Sequence, residues 1–148
     1  MGVRELGHVV LYVRELEIAR AFYRDVLGFR EIFAVPARAA GFSSGRTHHE
    51  LLLFAVGQEA RPIPQGTRVG LYHFGLKVGD SDDDLRALLP KLRDAGITLV
   101  GSSDHIVTHS LYVLDPDGNE VELYIDVPGV DWRSDPSILM APPRPLRL

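Results

Sequence analysis

No cysteine occurs anywhere in the 148 residues. That excludes disulfides, thiolate metal sites and a cysteine nucleophile, and the compartment expected of such a chain is the cytoplasm. A basic run is also missing, and the formal net charge is −4. Nucleic acid is therefore not an expected partner, because binding it requires a phosphate-facing basic patch. No apolar run approaches the roughly 18 residues of a membrane span, so no membrane partner is expected either. "MGVRELGHVV" leads directly into a strand-like segment, and no signal peptide is expected there. What is present is ordinary for a globular protein: 45% apolar and 24% charged residues. The length suffices to bury a core without covalent staples.

The chain repeats itself. "GHVVLYV" (7–13) reads as a strand. In "ELEIARAFYRDVLGF", Ala19, Phe22, Tyr23 and Val26 fall on one helical face, with Gly28 as the stop. "FREIFAV" (29–35), "GFSSGR" (41–46) and "HELLLFAV" (49–56) read as three further strands. The second half has the same order. "YHFGLKV" (72–78) is a strand, and "DSDDDLRALLPKLRDAG" carries Leu85, Leu88, Leu89 and Leu92 at helical spacing. Pro90 is expected to kink that helix or cut it short. "ITLVG", "HSLYVLD" and "NEVELYIDV" follow, with "DPDGN" as a hairpin turn.

The expected fold is therefore α+β, with two tandem βαβββ modules. One domain would span 1–148: module 1 at about 3–57, a Pro- and Gly-bearing linker at 58–70, module 2 at about 71–127, and a packed tail at 128–148. Trp132, Ile138, Leu139 and Met140 are the expected anchors of that tail.

His8 and His73 occupy matching places in the two opening strands, and Glu50 and Glu122 in the two closing strands. Side chains alternate across a strand. Phe74, Leu76 and Val78 therefore share one face, opposite His73, Gly75 and Lys77. Val121, Leu123 and Ile125 likewise oppose Glu120, Glu122 and Tyr124. With the apolar sets packed on helices, His8, Glu50, His73 and Glu122 can converge on one concave surface. Two imidazoles and a carboxylate with open positions suit Fe(II); a fourth, carboxylate ligand suits Zn, Ni, Co or Mn equally well.

"LGHVVLYVRELEIARAFYRDVLGFRE", "YHFGLKV" and "LYVLDPDGNEVELY" resemble the vicinal oxygen chelate superfamily, which includes glyoxalase I, extradiol catechol dioxygenases and bleomycin-resistance proteins. The resemblance implies two tandem βαβββ modules forming a curved eight-stranded metal-binding cup, with the metal held by their first and last strands. Within it, the extradiol branch uses a His-His-Glu triad, matched by His8, His73 and Glu122. "GRTHHELLLF" resembles the branch's Arg-x-His-His stretch, which gives His49 an acid/base role. Tyr112 matches a tyrosine that bonds to the substrate's ring oxygen, and His105 or His109 would donate to the substrate. These matches imply a ring-cleaving enzyme that takes Fe(II), O2 and a catechol-like small molecule. A glyoxalase-like isomerase or lyase with Glu50 as fourth ligand is the alternative, and a non-catalytic drug-sequestering protein is the third. The family often forms homodimers, and a homodimer is compatible with this chain.

One conflict stays open at this level. Strand parity sends His49 and Glu50 to opposite faces. The internal repeat aims Glu50 into the cup, whereas the extradiol resemblance needs His49 there. A bulge, or a strand that starts after His49, would reconcile them.

Overall fold

The computed structural model describes residues 2–148. The chain divides into two compact units, the first ending at Ile63 and the second running Pro64–Leu148. Each builds one four-stranded sheet, and the two repeat one topology. Among the described residues no helix is long and apolar enough to cross a membrane.

The first unit contains β1 (Val9–Val13), α1 (Leu16–Arg20) running into a π-helical segment (Ala21–Val26), β2 (Glu31–Val35), β3 (Ala39–Phe42) and β4 (Leu51–Ala55). Strand order is β1-β4-β3-β2, with β1 parallel to β4 and the other pairs antiparallel. Leu11, Val13, Leu51 and Leu53 alternate with less buried neighbours and pack on the side of Leu16, Ala19, Phe22 and Tyr23. Burial of each large apolar side chain contributes about 1.5–3 kcal/mol. The helical periodicity of the sequence is present, but its second half widens to π geometry. Leu27 N–H bonds back five residues to Phe22, and Phe29 N–H to Tyr23 at 2.8 Å. Gly28, at φ 74°, makes that closure without strain.

The strand expected over 41–46 is corrected by the structure: β3 ends at Phe42, and residues 43–50 form a loop. The Ser43 hydroxyl donates to the Thr47 carbonyl at 2.5 Å and accepts from Gly45 N–H at 2.9 Å. Such local side-chain bonds offer the backbone an alternative to the sheet ladder.

The second unit contains β5 (His73–Gly79), α2 (Asp82–Asp94), β6 (Leu99–Asp104), β7 (Thr108–Leu114) and β8 (Glu120–Asp126). Its order is β5-β8-β7-β6, again with the first and last strands parallel. Leu85, Leu88 and Leu92 of α2 bury against a face made by Leu111, Val113, Val121, Leu123 and Ile125. The helix does not stop at Pro90 but continues to Asp94. Pro90 and Arg86 are both exposed, so the Arg86 carbonyl that loses its intrahelical donor can be hydrated. The buried leucine stripe keeps the helix together across that gap.

The 115–119 turn sets the β7–β8 register. The buried Asp115 carboxylate accepts from Asp117 N–H, Asn119 N–H and the Asn119 side chain at 2.8–3.0 Å. Tyr112 is thereby paired opposite Glu122. Of the four expected tail anchors, Ile138 is half-buried, whereas Leu139 is 53% and Met140 88% exposed, and Trp132 is also exposed. A backbone bridge also tethers the tail: Asp104 and Arg144 exchange N–H···O bonds of 2.8 and 2.9 Å.

Candidate functional site

In the second unit the chemistry gathers on the sheet face turned away from α2. His73 opens β5, and its Nε2 stands 3.3 Å from Glu122 Oε2. Its Nδ1 is buried without a hydrogen-bond partner, 3.5 Å from Glu120 Oε1. An imidazole with one nitrogen toward one carboxylate and the other nitrogen near a second could hold a metal through the first, with the second as outer partner. The other Glu122 oxygen, Oε1, accepts from the Ser110 hydroxyl at 2.6 Å and from the Tyr112 hydroxyl at 3.2 Å. Gly75 pairs with Glu122. A Cβ there would stand 3.1 Å from the Tyr124 ring and 3.5 Å from Glu122 Oε2, so glycine keeps the space beside that oxygen open. These residues fit a divalent ion on His73 and Glu122.

Tyr112 bridges Glu122 to His105, whose Nε2 lies 2.8 Å from the phenolic oxygen. Burial, and then the charge of Glu122, push the Tyr112 hydroxyl up to about 12, so it remains protonated at neutral pH. His109 is placed otherwise. Alternation along β7 puts Ser110 and Tyr112 on one face and His109, Leu111 and Val113 on the other. His109 Nδ1 is bound to Asp82 of α2 at 2.5 Å, and its Nε2 is 3.6 Å from Asp104. Of the two histidines offered as substrate donors, only His105 shares the face of Glu122.

In the first unit, His8 and His49 come from the two segments that lead into the paired strands β1 and β4. Their ring centroids are 4.5 Å apart. His48 packs on His49 at 4.4 Å, with Nδ1···Nδ1 at 2.6 Å. Desolvation, then the neighbouring His48 and His8, lower the His49 pKa, favouring its neutral form. Glu50 has a different environment. Its carboxylate accepts from Ser44 N–H, from the Ser44 hydroxyl at 2.7 Å and from Arg46 Nε at 2.9 Å. Burial pushes the Glu50 pKa up, but the Ser44 and Arg46 bonds outweigh it and hold the carboxyl below its ordinary value.

Within neither unit, among the described residues, do three His, Asp or Glu side chains form a metal cluster. Ser110 and Ser44 are partners that the sequence reading does not name, while Glu120, on the Glu122 face, and Arg46 and His48, in the Arg-x-His-His stretch, appear there without a role. Ser110 has a signal in the sequence, lying two residues before Tyr112 on the same strand face.

Residues 5–123 match the model of the Glyoxalase/Bleomycin resistance protein/Dioxygenase superfamily. The chain belongs to that superfamily. Among its relatives is a catechol-2,3-dioxygenase of Bacillus subtilis, 34% identical over 130 residues, with 88% of this chain and 44% of the relative covered. A biphenyl-2,3-diol 1,2-dioxygenase of Rhodococcus globerulus is 36% identical over 121 residues, covering 82% and 63%. The chain thus spans less than two thirds of either superfamily relative's length. Among solved structures, a lactoylglutathione lyase from Agrobacterium tumefaciens superposes with a TM-score of 0.63 at 29% identity, covering 84% of this chain and 95% of that one. A glyoxalase/dioxygenase from Nostoc punctiforme reaches 0.70 at 23% identity, covering 83% and 91%, and shares the fold.

Proposed function

We propose that the protein is an extradiol-type ring-cleaving dioxygenase acting on a catechol-like substrate with Fe(II) and O2. One observation carries the reading: Ser44 and Arg46 occupy the Glu50 carboxylate, while the His49 ring lies against His8. That favours a three-ligand set of His8, His73 and Glu122 over a four-ligand set that includes Glu50. A three-ligand face leaves positions for a bidentate substrate and for O2. The names of the two dioxygenase relatives support the same branch.

When bound, the ion supplies Lewis acidity and the electron transfer between catecholate and O2. The chain's own residues supply the rest. His49 accepts the proton of a catechol hydroxyl and later returns it. Tyr112 stays protonated and, with Ser110 holding Glu122, turns its proton from Glu122 to the substrate's ring oxygen, backed by His105. Ser110 fixes one oxygen of Glu122, so that the other faces His73. In this reading Glu50 and His109 touch neither metal nor substrate.

The test is anaerobic loading with Fe(II), then air and a panel of catechols, with O2 uptake and the yellow ring-cleavage product as readouts. Equimolar O2 consumption and product formation are expected. Turnover of a hemithioacetal with Ni, Co or Zn and no O2 uptake would replace this reading with the lyase one.

A further inference from the structure

We propose that Arg46 and Glu50 form a clamp that sets the His8–His49 geometry. The proposal rests on the reading above, in which His8 is a metal ligand and His49 the acid/base group. Both histidines lie just outside the strands, so the sheet anchors only the residues beside them, through the Val9 N–H to Glu50 carbonyl bond. Beyond that bond a side chain must hold the two loop segments together.

The guanidinium of Arg46 does so. Its Nε donates to Glu50 Oε1 at 2.9 Å, directly after His49. Its Nη2 donates to the carbonyls of Leu6 and Gly7 at 3.3 and 3.1 Å, directly before His8. Its Nη1 lies 3.3 Å from Glu5 Oε2. One planar fork therefore joins the backbone entering His8 to the side chain following His49. Glu50 closes the other side: its Oε2 accepts from the Ser44 backbone and hydroxyl and, at 3.4 Å, from Ser43. This folds the 43–49 loop back on itself. The backbone completes the ring, since Val9 N–H donates to the Glu50 carbonyl at 2.9 Å. A lysine in place of Arg46 keeps the charge but cannot reach Glu50 and two carbonyls from a fixed plane. Glu50, at the position where the internal repeat suggests a ligand, thus serves as a positioning residue.

The experiment compares wild type with Glu50→Gln and Arg46→Lys. Side-chain 15N–1H spectra of the metal-free protein read the clamp directly. Both variants are expected to shift the His8 and His49 imidazole signals and to leave those of His73 and His105 unmoved. Co(II) titration is expected to give one ion per chain in all three proteins. With Fe(II), catechol and O2, kcat is expected to fall about 10–100-fold, the scale of a displacement near 1 Å, with KM within about threefold. Unmoved His8 and His49 signals would overturn the clamp whether or not the protein turns over catechol. Loss of the Co(II) site in Glu50→Gln alone would make Glu50 a ligand and overturn it too. Absence of turnover in wild type, with the shifts present, would leave the clamp standing and remove the dioxygenase reading. Arg46→Lys carries the test if Glu50→Gln does not fold.

Discussion

Ser110 donates its hydroxyl proton to Glu122 diagonally across the β7–β8 pair at 2.6 Å, and Ser110 itself is fully buried. That bond occupies Oε1 and leaves Oε2 toward His73. Ser110→Ala removes the donor with a minimal change of volume, and only the longer Tyr112 bond then holds Oε1. Loss of an outer partner of a ligating group typically weakens metal binding 10–100-fold. Co(II) calorimetry on the variant should read a loss of that size, with unfolding midpoints near wild type. Unchanged affinity would mean that Ser110 does not orient Glu122.

Tyr112→Phe tests the second partner. Ser110 still holds Glu122 in this variant, so metal affinity should fall less than in Ser110→Ala. Catalysis should fall further, because the proposed donor to the substrate is gone. A hydrogen bond to a charged group is worth about 1.5–3 kcal/mol, which corresponds to roughly a 10–100-fold loss in kcat/KM. Steady-state O2 uptake measures it. Full activity would place the hydroxyl outside the reaction.

These partners also show where sequence reasoning reaches and where it stops. The repeated element order is legible because each unit carries the same succession of periodicities, and the structure has the same succession. The common face of His73, Glu122 and Tyr112 follows from alternation along β5, β7 and β8. Alternation applies only inside strands. His49 and Glu50 precede β4, so their directions depend on loop hydrogen bonds from Ser43, Ser44 and Arg46, which no period encodes. Arg46 reaches 40 residues back to Leu6, a distance in sequence that local patterns do not cover. The odd spacing of His109 from Tyr112 assigns it to the opposite face, so of the two histidines that the sequence offers, His105 is the one that meets Tyr112.

Pro90 offers a stability prediction. α2 passes through it without ending, and Pro90 is exposed. An interior proline removes one helical hydrogen bond and crowds the carbonyl four residues back. Pro90→Ala restores the bond to Arg86 but frees the unfolded chain, which offsets part of the gain. A net stabilisation of about 1–2 kcal/mol is expected, read as a higher urea midpoint. A lower midpoint would mean that chain restriction in the unfolded state outweighs the missing bond.

The Arg20–Glu31 pair makes stability depend on pH. Arg20 Nε and Nη2 each donate to Glu31 at 2.7 Å, joining α1 to β2, and both side chains are largely buried. The Arg20 bonds hold the Glu31 carboxyl below its ordinary value against the opposing effect of burial. A carboxylate with a depressed folded pKa contributes its full stability above its unfolded pKa, about 4.3. The contribution is lost as pH falls from there through the folded pKa. Glu31→Gln should therefore destabilise the protein by about 1–2 kcal/mol at pH 7, the range for a partly buried charged hydrogen bond. The gap between variant and wild type should then narrow as pH drops below about 4. Urea midpoints at pH 7, 5 and 3.5 measure both effects. A gap that stays constant down to pH 3.5 would show that Glu31 stabilises the fold through packing rather than through its charge.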